Sequence, residues 1–378
     1  MENKICIYAI SKNERKFVDR WYESMKEADS IVVLDTGSTD GTAERLKELG
    51  VIVNTKIIDP WRFDVARNES LKLVPDDCNI LFCTDLDEIL EPGWSKVLKE
   101  KWIEGKHERG VYKYTWSHLE DGSDGRVFQY DKIHSRNWIW TAPVHELLTK
   151  KGGNEEYNEN EILYVFDDIH LHHYPDKNKS RSSYLPLLEL RAKEKPDDYY
   201  GLIYLSHEYC YRGHYQKSID LLNRILKDFD HTPLIEASCY LFMGDSYKNL
   251  YKEDNDHGKL TMAKKCYYDA INVDPTYIEP YISLAKVYLD EKDYSMAEVT
   301  IKNGLNKSFR HYTWLERDTS WSYEPWDLLC LATFYSGKKL EAIGYATKAL
   351  SFAPTDERLV SNVELCVENT TDKELIKY

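Results

Sequence analysis

Acidic side chains are concentrated in the segment LFCTDLDE, where Asp85, Asp87 and Glu88 follow a short apolar stretch. Residues two apart on an extended chain point the same way, so the carboxylates of Asp85 and Asp87 can both approach one hard divalent cation. Mg²⁺ or Mn²⁺ held there would neutralise the charge of a bound diphosphate. Because an isolated pair of this spacing is common, the position of the pair in the fold decides whether it forms a metal site.

Strands and helices that alternate along the first half of the chain must position these carboxylates. Apolar stretches at 5–10, 31–35, 51–58 and 79–85 predict strands, and the amphipathic stretches between them predict helices. This alternation implies an α/β fold with a mostly parallel sheet covered on both faces. Ligands of such sheets bind beyond the carboxyl ends of the strands.

Three groups of polar residues fall at that predicted edge of the sheet. They are Asn13 and Glu14 after the first strand, Asp35 and Thr36 after the second, and the acidic cluster after the fourth. Asp35 taken alone is equally typical of a helix N-cap. The chain contains neither GxGxxG nor a Walker lysine motif, so neither a dinucleotide site nor a P-loop is indicated.

Further candidates lie in the segments WTAPVHELL and DDIHLHHYPD. Glu146 has mainly apolar neighbours, which would make its carboxylate a better proton acceptor near neutral pH. The alternative is a strand-end carboxylate paired with Arg or Lys. His170, His172 and His173 suggest zinc, but zinc usually takes a further set of ligands that this segment does not offer. A period of two places His170 and His172 on the same face of a strand.

The order and spacing of four stretches resemble the family 2 glycosyltransferases of the GT-A fold. The stretches are the opening strand running into KNE, then IVVLDTGSTDGT, FDVARN and LFCTDLDE, and the resemblance covers about residues 3–176. It implies a Rossmann-like catalytic domain that transfers a sugar from a nucleotide donor, with Mn²⁺ or Mg²⁺ as cofactor. A UDP-sugar is the expected donor because uridine diphosphate is the family's commonest leaving group.

The resemblance also implies roles for the polar residues. Asp35 would recognise the base of the nucleotide, with Thr36 beside it in the nucleotide-sugar site. Asn13 and Glu14 would lie close to the nucleoside. Arg67 would stand beside the nucleotide site.

In the acidic cluster, Asp85 would contact the ribose or the metal, and Asp87 would be the principal metal ligand. The segment VHE resembles that of a subgroup that includes bacterial core-oligosaccharide glucosyltransferases and peptide S-glycosyltransferases of glycosylated bacteriocins. On this resemblance Glu146 is the general base that activates the acceptor for attack on the anomeric carbon with inversion.

A histidine after the VHE segment can complete the metal shell in that subgroup. His172 aligns best, but the glycine of the subgroup's motif is absent, so the choice among His170, His172 and His173 stays open. Related enzymes often carry an arginine pair upstream of VHE. This chain has Lys132, His134 and Arg136 there, and some of them would bind the diphosphate.

The second half of the chain predicts a helical repeat. Small residues that begin a recurring helical pattern lie at Ser218, Ala263, Ala297 and Ala342, at intervals of 45, 34 and 45 residues. About 34 residues is the tetratricopeptide period, and 45 residues is that period with an insert. The two inserts, near NLYKEDNDHGK and HYTWLERDTSWSYE, are predicted to be loops, either carrying specificity or simply extending the connection.

We therefore predict a GT-A nucleotide-sugar transferase domain over residues 1–176 and an all-α tetratricopeptide-repeat solenoid over residues 177–378. Most of the 29 tyrosines follow residue 177 and are expected to pack between repeat helices.

Composition narrows the class of protein. The chain carries 65 acidic and 50 basic side chains, and the formal net charge of -15 argues against a general nucleic-acid-binding surface. No window approaches the roughly 18 consecutive apolar residues of a membrane span, and the N-terminus is typical of a first strand rather than a signal peptide. The eight cysteines form no CxxC pair, which favours free thiols. We expect a cytoplasmic protein.

The leading hypothesis is a metal-dependent, inverting hexosyltransferase whose repeats recruit a peptide or protein acceptor or drive formation of a homodimer. One alternative is transfer to a cell-surface glycan or a lipid-linked intermediate. The other is a repeat scaffold with an inactive transferase domain, which the retention of Asp85, Asp87 and Glu146 disfavours.

Overall fold

The computed structural model of the chain describes residues 2–120, 122–152, 163–176 and 182–370. It divides into two units: Met1–Ser117 with Val127–Glu194, and His118–Arg126 with Lys195–Tyr378. The division predicted at residue 177 stays a prediction, since residues 177–181 lie outside the described part of the chain.

The first unit alternates strands and helices as the sequence predicts. Its strands are β1 (Ile5–Ser11), β2 (Ser30–Asp35), β3 (Ile52–Thr55), β4 (Ile80–Cys83), β5 (Glu88–Leu90), β6 (Arg109–Thr115), β7 (Val127–His134), β8 (Trp138–Thr141), β9 (Leu147–Lys150) and β10 (Leu163–His173). Its helices are α1 (Arg15–Met25), α2 (Thr42–Glu48), α3 (Phe63–Leu71), α4 (Trp94–Lys101) and α5 (Tyr184–Glu194).

Eight of these strands form one sheet in the order β3-β2-β1-β4-β7-β6-β10-β5, and β8 pairs with β9. The four strands from β3 to β4 are parallel. Beyond them, β7 runs antiparallel to β4 and β6, β10 runs parallel to β6, and β5 runs antiparallel to β10 at the edge of the sheet. The predicted α/β class is confirmed, and the sheet is mixed beyond β4.

Helix α1 shows how the sequence positions the edge of the sheet. Phe17, Val18, Trp21 and Met25 recur at helical spacing, and all four are buried in the core beside the apolar strands. Burying that stripe fixes the start of the helix. The loop between β1 and α1 is thereby held at the carboxyl end of β1.

The second unit is built mainly from helices that follow one another in pairs. They are α6 (Tyr199–Tyr211), α7 (Tyr215–Asp228), α8 (Pro233–Asp254), α9 (His257–Val273), α10 (Glu279–Asp290), α11 (Tyr294–Lys307), α12 (Glu324–Tyr335), α13 (Lys339–Phe352) and α14 (Glu357–Glu368), with a short 3₁₀ helix at Asp318–Trp321.

The predicted register of the repeats is confirmed by the positions of its small residues. Ser218, Ala263, Ala297 and Ala342 lie on α7, α9, α11 and α13, the second helices of four successive pairs, and each is at most 1 % exposed. Small side chains at these positions let paired helices approach closely.

The first insert differs from its prediction. Helix α8 continues to Asp254, so most of the segment NLYKEDNDHGK is helical rather than a loop. Asn255, at φ 60°, ends the helix in a left-handed conformation, and the Asp256 side chain accepts a hydrogen bond from the N–H of Gly258 at the start of α9. The extra residues of this 45-residue interval therefore lengthen a helical pair instead of forming a loop.

Gly244 of α8 provides a test of this packing. A Cβ there would lie 2.5 Å from the ring of Tyr267, which is fully buried and donates a hydrogen bond to Asp245 Oδ1 at 2.8 Å. We expect Gly244→Ala to lower the free energy of unfolding by about 1–2 kcal/mol, because overpacking outweighs the gain in helix propensity of about 1 kcal/mol.

The matched control is Gly344→Ala on α13, where a Cβ meets no described atom within 4 Å. There the same change is expected to raise the free energy of unfolding by up to about 1 kcal/mol. Urea unfolding followed by circular dichroism measures both variants, and equal effects would contradict the packing argument.

Among the helices of the described ranges, none combines the length and the apolar character needed to cross a lipid bilayer. Each of the eight cysteines is buried with a free thiol.

Candidate functional site

Asp35 closes β2 and orders the loop that follows it. Its buried side chain accepts hydrogen bonds at Oδ2 from the hydroxyls of Ser11 at 2.9 Å and Ser38 at 2.5 Å. Oδ1 accepts from the backbone N–H groups of Gly37 and Ser38 at 3.0 and 2.9 Å. Four donors within the protein thus orient this carboxylate at the carboxyl edge of the sheet.

The loop after β1 is hydrogen-bonded to the loop after β2. Asn13, at φ 56°, donates its backbone N–H to Ser38 Oγ at 2.8 Å, and its Oδ1 accepts from the N–H of Thr39 at 2.8 Å. An asparagine tolerates this left-handed conformation better than most side chains.

Glu14 and Thr36 complete the same junction. The Glu14 N–H donates to Thr42 Oγ1 at 2.9 Å, and the Thr36 hydroxyl donates to the Ser11 carbonyl at 2.9 Å. Both side chains are buried. The four predicted residues of these two loops therefore meet at one edge of the sheet.

Arg67 on α3 links the acidic cluster to Glu146. It is buried, and its Nε donates to Glu146 Oε1 at 2.6 Å while Nη2 donates to Asp85 Oδ1 at 3.0 Å. Its guanidinium also lies 5.3 Å from the ring centre of Trp140. One buried cation thus fixes two carboxylates that the sequence places 61 residues apart.

Lys132 of β7 is a second buried cation in this cluster. Its Nζ donates to Asp85 Oδ2 at 2.9 Å and to Glu88 Oε1 at 3.1 Å. Glu88 also accepts a hydrogen bond from the Tyr114 hydroxyl at 2.9 Å and from the Asp85 N–H at 2.8 Å. The basic residue predicted near the diphosphate is therefore in contact with the acidic cluster.

Glu146, Arg67, Asp85, Lys132 and Glu88 form a chain of alternating charges, which we call the charge chain. Burial alone would raise the pKa of Asp85, but the two cations lower it well below its usual range. Burial likewise opposes the charged forms of Arg67 and Lys132, yet the carboxylates raise both pKa values well above their ordinary range. Asp85 is therefore ionised across the physiological range.

Asp87 lies apart from the charge chain and faces His173. Asp87 Oδ2 is 3.4 Å from His173 Nε2, and His173 Nδ1 lies 3.0 Å from the Trp116 carbonyl. Since a carbonyl only accepts, Nδ1 carries a proton, and Nε2 is the nitrogen available to a metal. Neighbouring ligands of an octahedral cation lie about 3 Å apart, so this carboxylate and imidazole fit Mn²⁺ or Mg²⁺.

His172 lies on the other face of β10. Its Nε2 is 3.0 Å from Glu91 Oε1, and Nδ1 of His170 is 2.9 Å from the same oxygen. Successive side chains of a strand point to opposite faces, so His172 and His173 cannot both face Asp87. Of the three histidines that the sequence left open, the structure places His173 beside Asp87.

Glu146 lies in the loop between β8 and β9. Arg191 of α5, which is fully buried, holds this loop by donating from Nη1 to the carbonyls of Val144 and His145 at 3.0 and 2.8 Å. The Glu146 side chain is 11 % exposed and is ion-paired with Arg67. The structure therefore shows the alternative, a carboxylate paired with Arg, in place of the mainly apolar setting, because Arg67 reaches Glu146 from a distant helix.

One contributor to the site, Arg191, was not predicted from the sequence, and Glu88 was placed in the acidic cluster without a role of its own. Arg191 acts from a helix beyond the segments that carry recognisable motifs, and no signal in its neighbourhood indicates a role. Glu88 directly follows the pair Asp85 and Asp87, so the motif itself contained a signal for it.

The other two basic residues upstream of Glu146 have structural partners. His134 Nε2 lies 2.5 Å from the Tyr8 hydroxyl, and Arg136 Nε donates to the Cys78 carbonyl at 2.7 Å. Neither contact involves the acidic cluster. Of these three basic residues, the structure places Lys132 in the acidic cluster, and its binding of the diphosphate stays a prediction.

The buried His134 predicts a pH dependence of stability. Burial lowers its pKa from 6.5 to about 4. The folded protein keeps the imidazole neutral, while the unfolded chain takes up a proton below pH 6.5. The contribution of the neutral His134 to the free energy of unfolding is therefore complete above pH 6.5 and is lost as the pH falls toward 4. We expect a loss of about 2 kcal/mol in unfolding free energy between pH 6.5 and 5.

The matched variant His134→Gln is expected to be less stable at pH 7.5 but to lack this part of the pH dependence. Urea unfolding of both proteins at pH 7.5 and pH 5 measures the difference. If both proteins lose the same free energy between these two pH values, His134 is not the source.

No curated protein matches the chain. Among solved structures it resembles a thermophilic TPR protein of Thermus thermophilus, with 23% identity over 49% of this chain and 89% of that one and a TM-score of 0.39. MamA protein is 18% identical over 46% of this chain and 83% of its own, with a TM-score of 0.33. The second TPR domain of the human RPAP3 protein, in complex with an HSP70 peptide, is 17% identical over 35% and 98%, with a TM-score of 0.28. Because these TM-scores are below 0.5, the inference that the helical unit is a repeat array depends on its own helix pairs and not on these structures.

The family comparison concerns the first unit. Residues 6–147 match the model described as glycosyl transferase family 2, a range that runs from β1 through the charge chain to Glu146. The stretch from β1 to Glu146 is therefore similar to the family 2 glycosyltransferases, and the protein is a glycosyltransferase.

Proposed function

We propose that the protein is a metal-dependent, inverting glycosyltransferase that moves a sugar from a UDP-sugar to a peptide or protein acceptor. One observation carries the proposal: Arg67 joins Asp85, in the acidic cluster at the end of β4, to Glu146, in the segment expected to meet the acceptor. The buried Arg67 would thereby hold the donor site and the acceptor-activating carboxylate in one arrangement.

The nucleoside would lie against the two loops at the ends of β1 and β2. Uracil has an imide N–H that can donate a hydrogen bond to a carboxylate, and cytosine lacks an N–H at the same position. The carboxylate of Asp35 is held in one orientation beside the proposed nucleoside site. Thr36, Asn13 and Glu14 would shape the pocket around the nucleoside. This chemistry favours uridine over cytidine as the base.

Asp87 and His173 would hold the divalent cation, Mn²⁺ or Mg²⁺. When bound, such a cation neutralises the developing charge on a leaving diphosphate. Asp85, which Arg67 and Lys132 keep ionised, would contact the ribose or the metal. We propose His173 rather than His172 for the metal because only His173 faces Asp87.

Glu146 would remove the proton from the acceptor. Arg67 occupies Oε1, which leaves Oε2 as the atom that takes the proton while the acceptor's oxygen, nitrogen or sulfur bonds to the anomeric carbon. The bond between that carbon and the diphosphate oxygen breaks, the electron pair leaves with the diphosphate, and the configuration inverts. The contact with Arg67 keeps the carboxylate in one orientation for this step.

The helical unit would recruit the acceptor. Arrays of helix pairs bury each other's faces and present extended surfaces that suit peptides or partner subunits. We therefore propose a peptide or protein acceptor, with a homodimer as a further role of the repeats.

The test combines donor hydrolysis with a search for the acceptor. The full chain is incubated with a panel of UDP-sugars and Mn²⁺, and UDP release is measured with and without a cell lysate. We expect one donor to release UDP, and mass spectrometry of the lysate to show proteins heavier by one sugar residue. Release of no nucleotide from any donor would contradict the transferase proposal, and a mass increase confined to glycans or lipids would contradict the protein acceptor.

A further inference from the structure

A second group of metal-ligand side chains lies at the edge of the same sheet. Glu91 follows β5, His170 and His172 lie on β10, and their ligand atoms all lie within 4.8 Å of one another. Nδ1 of His170 and Nε2 of His172 converge on Oε1 of Glu91 at 2.9 and 3.0 Å.

The backbone places these three residues on one face. Leu90 of β5 pairs with Leu171 of β10, and the N–H of Glu91 donates to the His170 carbonyl at 3.0 Å. Both leucines are buried in the core. Because side chains alternate along a strand, Glu91, His170 and His172 share the face opposite to these leucines.

This arrangement is separate from the pair proposed to hold the donor's metal. His173 follows His172 directly and faces Asp87 on the other side of β10. A cation bound by His172 and Glu91 therefore has its own ligands and does not compete for Asp87.

Two further features support a metal at His170. The buried Thr115 of β6 has its Oγ1 2.7 Å from His170 Nε2, so the hydroxyl can accept that N–H when Nδ1 coordinates a metal. The pairing of β10 with β6 shifts register between Phe166 and His170, a bulge or irregularity immediately before the cluster. Bulges commonly re-aim a side chain beside a functional site.

We propose that Glu91, His170 and His172 form a binding site for a first-row transition-metal ion of the Zn²⁺ type. Two imidazole nitrogens and one carboxylate oxygen are a donor set that zinc uses with a water in the fourth position. Mg²⁺ prefers an all-oxygen shell, so this set discriminates against it. The histidine segment alone offered too few ligands, and Glu91, directly after the neighbouring strand β5, supplies the third. A bound ion would tie the edge strand β5 to β10.

The test uses the full chain stripped of metal with a chelator and titrated with Zn²⁺ against a chromophoric indicator. We expect one Zn²⁺ equivalent whose affinity falls at least about tenfold in His172→Gln and in Glu91→Gln, and which excess Mg²⁺ does not displace. His173→Gln is expected to keep this equivalent. The matched control is His257→Gln, which changes an exposed histidine at the start of α9.

No Zn²⁺ binding by the wild type, or equal affinity in the Glu91→Gln, His172→Gln and His257→Gln proteins, would overturn the proposal. Glu91→Gln keeps the test valid if a histidine variant folds poorly, because the Glu91 side chain is 56% exposed. The readout is bound metal rather than sugar transfer. A negative result in the zinc titration therefore leaves the proposed transferase function untouched. Failure of the transferase proposal likewise leaves the proposed zinc site untouched.

Discussion

Asp87→Asn is expected to lower the rate of UDP release by about 10³-fold while the protein remains folded. The amide has nearly the same shape as the carboxylate but lacks its charge, so the divalent cation would be held far less tightly. Stabilisation of a leaving diphosphate by a metal is worth several kcal/mol, and about 4 kcal/mol corresponds to a thousandfold change in rate. The measurement is UDP release over a range of Mn²⁺ concentrations.

The control for this substitution is Asp77→Asn, which changes an exposed carboxylate paired with Lys4 in the same unit. Surface pairs of this kind contribute little, so its activity should match the wild type. We also expect added Mn²⁺ to restore part of the activity of Asp87→Asn, since the defect is one of metal affinity. Activity within twofold of the wild type at limiting Mn²⁺ would show that Asp87 is not a metal ligand.

The sequence was sufficient for features that depend on local pattern. Apolar strands followed by polar residues predicted which side chains meet at the carboxyl edge, and Asn13, Asp35 and Thr36 are hydrogen-bonded there through neighbouring loops. Parallel strands carry their carboxyl ends to the same side, so strand order was not needed for this prediction. The small residues of the repeats were predictable for a similar reason, since each helix pair repeats one local pattern.

The partners of the site residues depend on contacts between distant segments, which no local pattern encodes. Arg67 and Lys132 reach Asp85 from α3 and β7, and no sequence pattern indicates which basic residue pairs with which acidic one. The apolar residues that flank Glu146 in the sequence did not reveal its ion pair with Arg67, which comes from α3. A prediction of its surroundings would have required the position of α3 relative to the loop between β8 and β9.

The histidines show the same limit at the scale of a single residue. A period of two separates His172 from His173, but the sequence cannot say which face of β10 carries the acidic cluster. The face is decided by the pairing of β10 with β5. Strand β5 follows the turn that contains Asp87 and runs antiparallel to β10. Once this pairing is known, the face that holds Asp87 and the face that holds Glu91 follow from strand alternation.

Glu146→Gln is expected to lower the rate of sugar transfer to the acceptor by about 10²–10⁴-fold, the usual contribution of a general base. The amide keeps an oxygen that can accept the hydrogen bond from Arg67 Nε, so the loop and Asp85 should stay in place. The loss should therefore appear in kcat, while KM for the nucleotide donor remains near the wild-type value. Steady-state kinetics with saturating acceptor measures both quantities.

The separate effects on kcat and on the donor KM distinguish two possible roles of Glu146, as the general base or as a residue that only positions Arg67. If the carboxylate acts as the base, removing its proton-accepting oxygen slows the chemical step and leaves donor binding intact. If it only positions Arg67, the loss of charge weakens the contacts of Arg67 with Asp85, and KM for the donor rises. Glu44→Gln, at an exposed site on α2, controls for the change of charge and should leave both constants unchanged. A rise in donor KM at an unchanged kcat would make Glu146 a positioning residue and would leave the base to be found elsewhere at this edge of the sheet.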